Sequence, residues 1–291
     1  MKKIFLIFIT TIMMATFMVG CGKESGAQDN ADNNSDTIKV LVSFHAMEEL
    51  VELVGDEKVD VEVVIPEGTE AHDFEPTTKD IKELSKSKLF VYNGLGMEHW
   101  VENFLKNSNV EVVEASANVT TINNDGVIDP HTWLGLKDAI VELENIKNAL
   151  VKIDSKNSTY YEKNYENAKK ELESIYDEYK SKFDSIANNK FVTGHKAFGY
   201  LCREFGLEQI AIQGVFAEGE PSPAKLAELI TYCKDNNIKT VFAEEIGSTE
   251  VAETLAREAG AKVETIETFE GEGDYIEGMQ ENLQKIYEAL K

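Results

Sequence analysis

Two series of short apolar segments, separated by one long segment without glycine or proline, constrain the fold of this chain most strongly. The apolar segments are rich in valine, isoleucine and leucine, and they alternate with amphipathic stretches. Continuous apolar runs between helices are typical of parallel strands that helices cover on both faces. The predicted strands are residues 38–44, 60–65, 88–92 and 110–114 in the first half and 190–193, 208–213, 240–243 and 262–266 in the second.

The segment between the halves, residues 155–187, predicts a single long helix. Its apolar and aromatic positions recur at steps of three and four, so one face contacts protein and the other faces water. As one helix it would span ~50 Å. A coiled coil also fits this periodicity, but the tyrosine-rich face between two α/β halves favours a strut. The predicted fold is therefore α/β, with two lobes, each a small four-stranded parallel sheet flanked by helices, joined by one long backbone helix.

The first twenty residues have the pattern of a secretory signal peptide. A basic start, Lys2 and Lys3, precedes an apolar run from residue 4 to residue 19 that is short for a membrane span. Cys21 then follows Gly20, which resembles the lipidation site of bacterial lipoproteins, although Met18 replaces the usual leucine. An ordinary signal peptide that contains a cysteine is the alternative. Residues 21–37 are mostly small and polar, so we expect a lipidated cysteine followed by a flexible tether.

The charge and cysteine content limit the classes of function. The formal net charge is −24, which excludes a nucleic-acid partner because phosphates require a basic surface. An acidic surface attracts cations weakly without identifying one. Besides Cys21, the chain has only Cys202 and Cys233, too few for a disulfide-built scaffold. Whether these two form a disulfide or stay as buried thiols is left open by the sequence.

Three of the five histidines follow predicted strands. His72 lies in the loop after strand 60–65, His131 comes after the strand that ends near residue 114, and His195 comes directly after strand 190–193. In parallel α/β sheets, ligands bind beyond the carboxyl ends of the strands. A single loop histidine usually has a solvated or capping role, and the spacing of these three forms no local motif. Their shared position, two in one half and one in the other, predicts a site between the lobes.

Five segments carry a resemblance to a known family: AHDFEPT at 71–77, NGLGME at 93–98 with Trp100, DPHTWL at 129–134, GHKAFGYL at 194–201 and VFAEE at 241–245. In these the chain resembles the metal-binding lipoproteins of zinc and manganese ABC transporters, the cluster A-I substrate-binding family, over residues 38–291. The resemblance implies a metal in the cleft between lobes 38–154 and 189–291, which residues 155–188 link. It also implies delivery of the metal to a membrane permease driven by a cytoplasmic ATPase, and we expect the chain to be a monomer.

Transferred position by position, the resemblance implies that His72, His131 and His195 bind the metal. Glu270 lies where some zinc-type members carry a carboxylate ligand, and a water is the alternative. Manganese-type members carry Glu where this chain has His195, so the resemblance implies one bound Zn²⁺. Three imidazoles with one oxygen ligand suit zinc, whereas manganese prefers more oxygens. The histidine-rich loop of many zinc-type members is missing from residues 120–128.

The remaining polar residues near these segments have weaker assignments. Each ligating histidine should donate its other ring N–H to an acceptor, and the candidates are Asp73, Glu75, Asp129, Glu244 and Glu245. His45 ends the first predicted strand, so we interpret it as lining the cleft or as a further ligand. His99 is expected at the surface or in packing, and Trp133 and Phe198 in the core.

The predicted function is that of an extracytoplasmic, lipid-anchored protein that captures Zn²⁺ with high affinity for an ABC importer. A manganese- or iron-binding homologue and a surface adhesin are the alternatives. A zinc hydrolase would carry a paired-histidine motif of the His-Glu-x-x-His type, and the sequence has none. It also lacks the Gly-x-Ser-x-Gly turn of serine hydrolases, so we expect no enzyme activity.

Overall fold

The computed structural model describes residues 37–124 and 126–291. The predicted signal peptide, the predicted lipidation site Cys21 and nearly all of the predicted tether lie outside the described residues. Among the described residues, no helix combines the length and the apolar composition needed to cross a membrane.

Two parallel four-stranded sheets form the frame of the molecule, which confirms the predicted fold class. The first sheet consists of β1 (Ile38–Val42), β2 (Val59–Val63), β3 (Leu89–Tyr92) and β4 (Glu111–Glu114), in the order β2-β1-β3-β4. A short antiparallel pair follows, β5 (Asn123–Asn124) and β6 (Val127–Ile128). The second sheet consists of β7 (Lys190–Thr193), β8 (Glu208–Ala211), β9 (Thr240–Glu244) and β10 (Lys262–Ile266), in the order β10-β9-β7-β8.

The two sheets share one topology. Within each half, the first strand along the chain lies between the second and the third, and the fourth lies beyond the third. Chain connections therefore diverge from the carboxyl ends of the first and third strands in both halves, which is where open α/β sheets bind ligands. The sequence pattern predicted two sheets, and the structure adds that both are wound alike.

Nine helices are described in residues 37–124 and 126–291. They are α1 (His45–Gly55), α2 (Thr78–Leu84), α3 (Val101–Leu105), α4 (Leu136–Ile153), α5 (Ser158–Phe183), α6 (Gly199–Phe205), α7 (Pro223–Asp235), α8 (Glu250–Ala259) and α9 (Tyr275–Leu290). Helix α7 begins as its sequence predicts: Ser222 accepts a hydrogen bond from the backbone N–H of Lys225, and Pro223 occupies the first turn.

The long linking helix is present but shorter than predicted. Helix α5 has 26 residues and spans ~39 Å. It starts later than residue 155 because Asp154 leaves helical geometry, with φ −141° and ψ 64°, and a 3₁₀ turn follows before Ser158. One face is buried, as the periodicity predicts, through Tyr161, Tyr165, Ala168, Leu172, Ile175, Tyr179 and Phe183. The helix packs against α1 and α4 of the first half and against α6 and α9 of the second.

Both halves share one hydrophobic core. Buried residues of the first sheet, of α5 and of the second half form a single cluster, and a smaller cluster lies beside the second sheet. Cys202 belongs to the large cluster and Cys233 to the small one, and both are free, buried thiols. Burial raises the pKa of both thiols. Cys202 and Cys233 are therefore two separate thiols and not a disulfide, the alternative that the sequence left open.

Candidate metal centre

Four buried side chains meet between the two sheets: His72, His131, His195 and Glu270. One nitrogen or oxygen atom from each lies within 4.8 Å of the others. The Nε2 atom of His131 is 3.3 Å from Nε2 of His72 and 3.2 Å from Nε2 of His195. Two nitrogens bound to one tetrahedral zinc ion at ~2.0–2.1 Å lie ~3.3–3.4 Å apart. The separations of His131 from His72 and from His195 therefore match those of nitrogen ligands on one tetrahedral ion.

Each of the four residues follows a strand, as the sequence predicts for the histidines. His72 lies in a 3₁₀ turn after β2, and its backbone N–H donates to the Glu70 carboxylate at 3.5 Å. His131 precedes α4, and His195 comes directly after β7. Glu270 follows β10 in the loop before α9. The site is thus built at the carboxyl ends of both sheets.

Asp129 fixes the orientation of His131. Nδ1–H of His131 donates to Oδ1 of Asp129 at 2.8 Å, and the same oxygen accepts the backbone N–H of His131 at 3.0 Å. Because Nδ1 carries the proton, the lone pair of Nε2 points at the cluster. Burial lowers the pKa of His131 although Asp129 raises it. Gly199 leaves room for this carboxylate, since a Cβ there would lie 2.6 Å from Oδ2 of Asp129.

Glu244, at the end of β9, has the corresponding position next to His195. Its Oε1 accepts the backbone N–H of His195 at 3.0 Å and lies 3.5 Å from Nδ1 of the ring. Burial lowers the pKa of His195, but Glu244, Glu270 and Glu70 outweigh it and raise the pKa to about 9. A Cβ on residue 194 would collide with the Glu244 carboxylate, so Gly194 permits this close approach.

His72 is a neutral ligand candidate. Burial and the neighbouring rings of His131 and His195 lower its pKa to about 2. Its Nδ1 has no hydrogen-bond partner among the described residues, so no second group fixes its tautomer. The edge of Phe216 packs at a centroid distance of 5.2 Å and shields the ring from water.

Glu270 brings a carboxylate to the three rings. It is 3% exposed, and its Oε1 has no hydrogen-bond partner among the described residues. Burial raises its pKa to about 8, although His195 opposes the shift. The preceding residue, Phe269, has φ 60°, a left-handed backbone that is unfavourable for an aromatic residue. Packing holds it there: its buried ring lies 5.2 Å from that of Tyr275, and Gly278 leaves space for it.

Trp133 links the His131 segment to the Glu270 loop. Its indole N–H donates to the carbonyl of Thr268 at 2.7 Å, and Tyr275 returns a hydrogen bond to the carbonyl of Trp133. Glu245 holds the other side of Thr268 by accepting its N–H at 2.8 Å and its hydroxyl at 2.8 Å. The sequence predicted only packing for Trp133; the hydrogen bond joins residues 135 positions apart, and no local pattern indicates it.

The acceptors proposed from the sequence divide into two groups. Asp129 contacts His131, and Glu244 contacts His195, so these two candidates do lie beside candidate ligands. Glu245 contacts Thr268 instead. Glu75 turns away after the 3₁₀ turn and pairs with the exposed His99 at 3.0 Å, and Asp73 is exposed. No local sequence pattern indicates the contacts made by Gly194, Gly199, Glu70 and Phe269.

His45 does not join the cluster. Strand β1 ends at Val42, earlier than predicted, so His45 opens helix α1 instead of ending the strand. Its ring nitrogens lie 3.0 Å from a carboxylate oxygen of Glu48 and 2.8 Å from the carbonyl of Gly273. The residue therefore contacts the loop that carries Glu270 and is not part of the cluster of His72, His131 and His195.

An acidic cavity of about 420 Å³ adjoins the cluster. At its inner end lie His195, Glu270, Glu244 and Glu70, and further out it is lined by the exposed Glu220 and Glu250, with no lysine or arginine among its described lining residues. Negatively charged carboxylates around a partly enclosed space, without compensating cationic side chains, raise the local concentration of cations.

Comparison with known proteins adds to this geometry. Residues 40–289 match the family described as zinc-uptake complex component A, periplasmic. The chain is 36% identical over 307 residues to the high-affinity zinc uptake system protein ZnuA of Bacillus subtilis, covering 96% of each chain. A zinc uptake system protein is thus a relative over nearly the full length of this chain.

Solved structures agree with this match. The laminin-binding protein Lmb of Streptococcus agalactiae, described as bifunctional with adhesin and metal-transporting activity, superposes with a TM-score of 0.84 at 35% identity, covering 88% of this chain and 100% of that one. A Zn(II)-bound mutant of AdcAII from Streptococcus pneumoniae gives 0.80 at 32% identity, covering 88% and 99%. The chain belongs to the family of zinc-uptake complex component A proteins.

Proposed function

We propose that this chain is an extracytoplasmic protein that captures one Zn²⁺ with high affinity and delivers it to the membrane permease of an ABC importer. The observation that carries the proposal is the convergence of three imidazole Nε2 atoms at 3.2 and 3.3 Å with a buried carboxylate. The zinc-uptake and zinc-bound relatives support the same assignment.

In this proposal His72, His131, His195 and Glu270 bind the ion, with water as the alternative to Glu270. Three neutral nitrogens and one carboxylate oxygen suit the tetrahedral preference of zinc. Manganese and magnesium prefer more oxygen ligands, which supports zinc over a manganese-type cargo. Asp129 keeps Nε2 of His131 unprotonated, and Glu244 holds His195 in place, so the nitrogens are oriented before the ion arrives.

Capture is an exchange of protons for a cation. In the metal-free protein His195 is protonated at neutral pH and pairs with Glu244, and Glu270 is largely protonated. The ion is attracted by the carboxylates of the acidic cavity, and His195 and Glu270 lose their protons as they bind it. Once bound, the ion is surrounded by side chains that are at most 9% exposed.

The remaining parts of the proposal concern location and architecture. A lipid on Cys21 anchors the mature chain to the outer face of the membrane, and residues 21–37 act as the tether. Residues 38–154 form the N-terminal lobe, 155–188 the linking helix and 189–291 the C-terminal lobe of a monomer. Because α5 packs against helices of both halves, we propose a small hinge motion on metal binding. X-ray scattering profiles with and without zinc that differ strongly would contradict this motion.

The test of the function is metal-dependent stabilisation. Protein stripped with a chelator should gain melting temperature on addition of one equivalent of Zn²⁺, since a ligand bound only by the folded state stabilises it. Mn²⁺ at the same concentration should give a smaller shift. The variant His195→Ala should lose most of the zinc shift, and His99→Ala, which removes an exposed histidine, should retain it. No shift in the wild-type protein would refute the proposal.

A further inference from the structure

His45 connects helix α1 of the first half to the loop that carries Glu270. Its Nε2 lies 2.8 Å from the carbonyl oxygen of Gly273, and its Nδ1 lies 3.0 Å from Oε2 of Glu48. A carbonyl and an ionised carboxylate can only accept hydrogen bonds, so both ring nitrogens must donate. Only the imidazolium has two N–H donors, and the geometry therefore selects the protonated form of His45.

The charges around His45 favour the same form. Glu48 and Glu49 face it from its own helix, and Asp274 follows Gly273 in the loop. Burial lowers the pKa of His45, but the hydrogen bonds with Glu48 and Gly273 and the charge of Glu49 outweigh it and raise the pKa to about 8. A cation at a helix N-terminus is opposed by the helix dipole, so these acceptors are what stabilise it there.

The loop between β10 and α9 depends on such contacts. It contains the left-handed Phe269 and Gly273, with φ 60° and 108°, and it adopts no regular structure around Glu270. Trp133 holds the carbonyl of Thr268 on one side of Glu270, and His45 holds the carbonyl of Gly273 on the other. Helix α1 adds one more contact, because Glu49 accepts the N–H of Tyr275 at 2.8 Å.

We propose that His45 is a positioning residue for the metal site: by holding the Gly273 carbonyl, it keeps Glu270 where its carboxylate can bind the ion. This inference rests on the proposed function, in which Glu270 is a zinc ligand. His45 contacts the loop through its 2.8 Å hydrogen bond to the Gly273 carbonyl. In this proposal it affects metal binding only through Glu270 and does not bind the ion itself.

The pH dependence follows from the raised pKa. The folded-state pKa of about 8 lies above the ordinary value of 6.5, so the contribution that needs both N–H donors is complete below pH 6.5 and is lost as the pH rises through about 8, where the neutral ring keeps one donor. Protonation of the metal ligands themselves affects wild type and His45 variants equally. The ratio of their zinc dissociation rates therefore isolates His45.

The test measures zinc dissociation into excess chelator from the full chain, between about pH 6.5 and 9. His45→Ala should release zinc about tenfold faster than wild type at the low end, the usual size of effect for a residue that supports a ligand. At the high end the wild-type rate should approach that of His45→Gln, because the neutral imidazole, like glutamine, keeps one N–H donor for the Gly273 carbonyl. His45→Gln keeps one donor for Gly273 and should be intermediate, with a ratio to His45→Ala that does not change with pH. His99→Gln, on an exposed histidine, is the matched control and should behave as wild type.

A double-mutant cycle identifies the route of the effect. If His45 acts through Glu270, adding His45→Ala to Glu270→Ala should change the dissociation rate no further. Wild-type rates in both His45 variants at low pH, or a full effect in the Glu270→Ala background, would overturn this inference alone. A wild-type protein that binds no zinc, or a Glu270→Ala rate equal to wild type, would overturn it together with the ligand assignment on which it rests. Melting curves of the metal-free variants verify folding.

Discussion

The indole N–H of Trp133 donates to the carbonyl of Thr268 at 2.7 Å. Trp133 lies two residues after His131, and Thr268 lies two residues before Glu270. One hydrogen bond therefore connects the segment that carries His131, in the first half, to the loop that carries Glu270, in the second. Tyr275 strengthens the connection by donating to the carbonyl of Trp133. The relative position of these two ligand candidates depends on a buried side chain that packs beside the ring of His131, at a centroid distance of 5.3 Å, and hydrogen-bonds to the loop of Glu270.

Trp133→Phe should weaken both the fold and the site. The ring volume is largely kept, but the buried Thr268 carbonyl loses its donor, which costs ~1–3 kcal/mol in the free energy of unfolding. Zinc affinity should fall about tenfold, because the Glu270 loop loses one of its anchors. Urea unfolding and competition with a zinc chelator measure the two effects.

Trp100→Phe is the matched control, since the buried N–H of Trp100 has no partner among the described residues. It should leave zinc affinity unchanged. Equal affinities in wild type and Trp133→Phe would show that the hydrogen bond does not position the site.

Gly194→Ala should displace Glu244 from His195. The new Cβ would occupy the space of the Glu244 carboxylate, so the acceptor that orients the ring has to move. We expect zinc affinity to fall about tenfold or more, measured by competition titration. Gly214→Ala is the control, because a Cβ there meets nothing within 4 Å. An affinity of Gly194→Ala equal to that of the control would rule out a role for Glu244.

Zinc binding should release protons. In the metal-free protein the pKa of His195 is raised to about 9 and that of Glu270 to about 8, and both groups must be deprotonated to bind the ion. Lowering the pH favours the protonated forms, so apparent zinc affinity should rise from about pH 6 to about pH 9. Calorimetry in two buffers of different ionisation enthalpy should give at least one proton released at neutral pH. A binding heat that is the same in both buffers would contradict this.

The acidic cavity should accelerate zinc capture. Neutralising its exposed carboxylates with Glu220→Gln and Glu250→Gln should slow association several-fold at low salt, with little change in dissociation. The difference should vanish at high ionic strength, where exposed charges are screened. The control carries the same loss of charge on the exposed face of α5, as Glu162→Gln with Glu171→Gln. If the stopped-flow association rates fall equally in both variants, the effect comes from the net charge of the protein and not from the cavity.

The sheets and the three histidines were predictable because each depends on local patterns. Continuous apolar runs between amphipathic segments indicate parallel strands, and residues after such strands share one edge of the sheet. Helix α5 was predicted in position and in its buried face. Its start was not, because residues 155–157 lack the proline or glycine that usually marks a break, although the backbone angles of Asp154 and a 3₁₀ turn separate the helix from α4.

The supporting residues were harder to predict because their partners are distant in sequence. Trp133 looks like an ordinary core aromatic until Thr268 is brought to it. His45 was misplaced because β1 ends at Val42, and a difference of two residues moves it from a strand end to a helix start. The left-handed backbone of Phe269 follows from tertiary packing, and an aromatic residue gives no sequence signal for it. Glu270 was nominated only through the family resemblance.

The most direct test of the central claim is X-ray absorption spectroscopy of the zinc-loaded protein at the zinc edge. We predict one zinc per chain, with three imidazole nitrogens and one oxygen at ~2.0–2.1 Å. In the Glu270→Ala variant the oxygen should come from water, with the three imidazoles retained. A zinc ion with fewer than three imidazoles, or a shell of six oxygens, would contradict a site built from His72, His131 and His195.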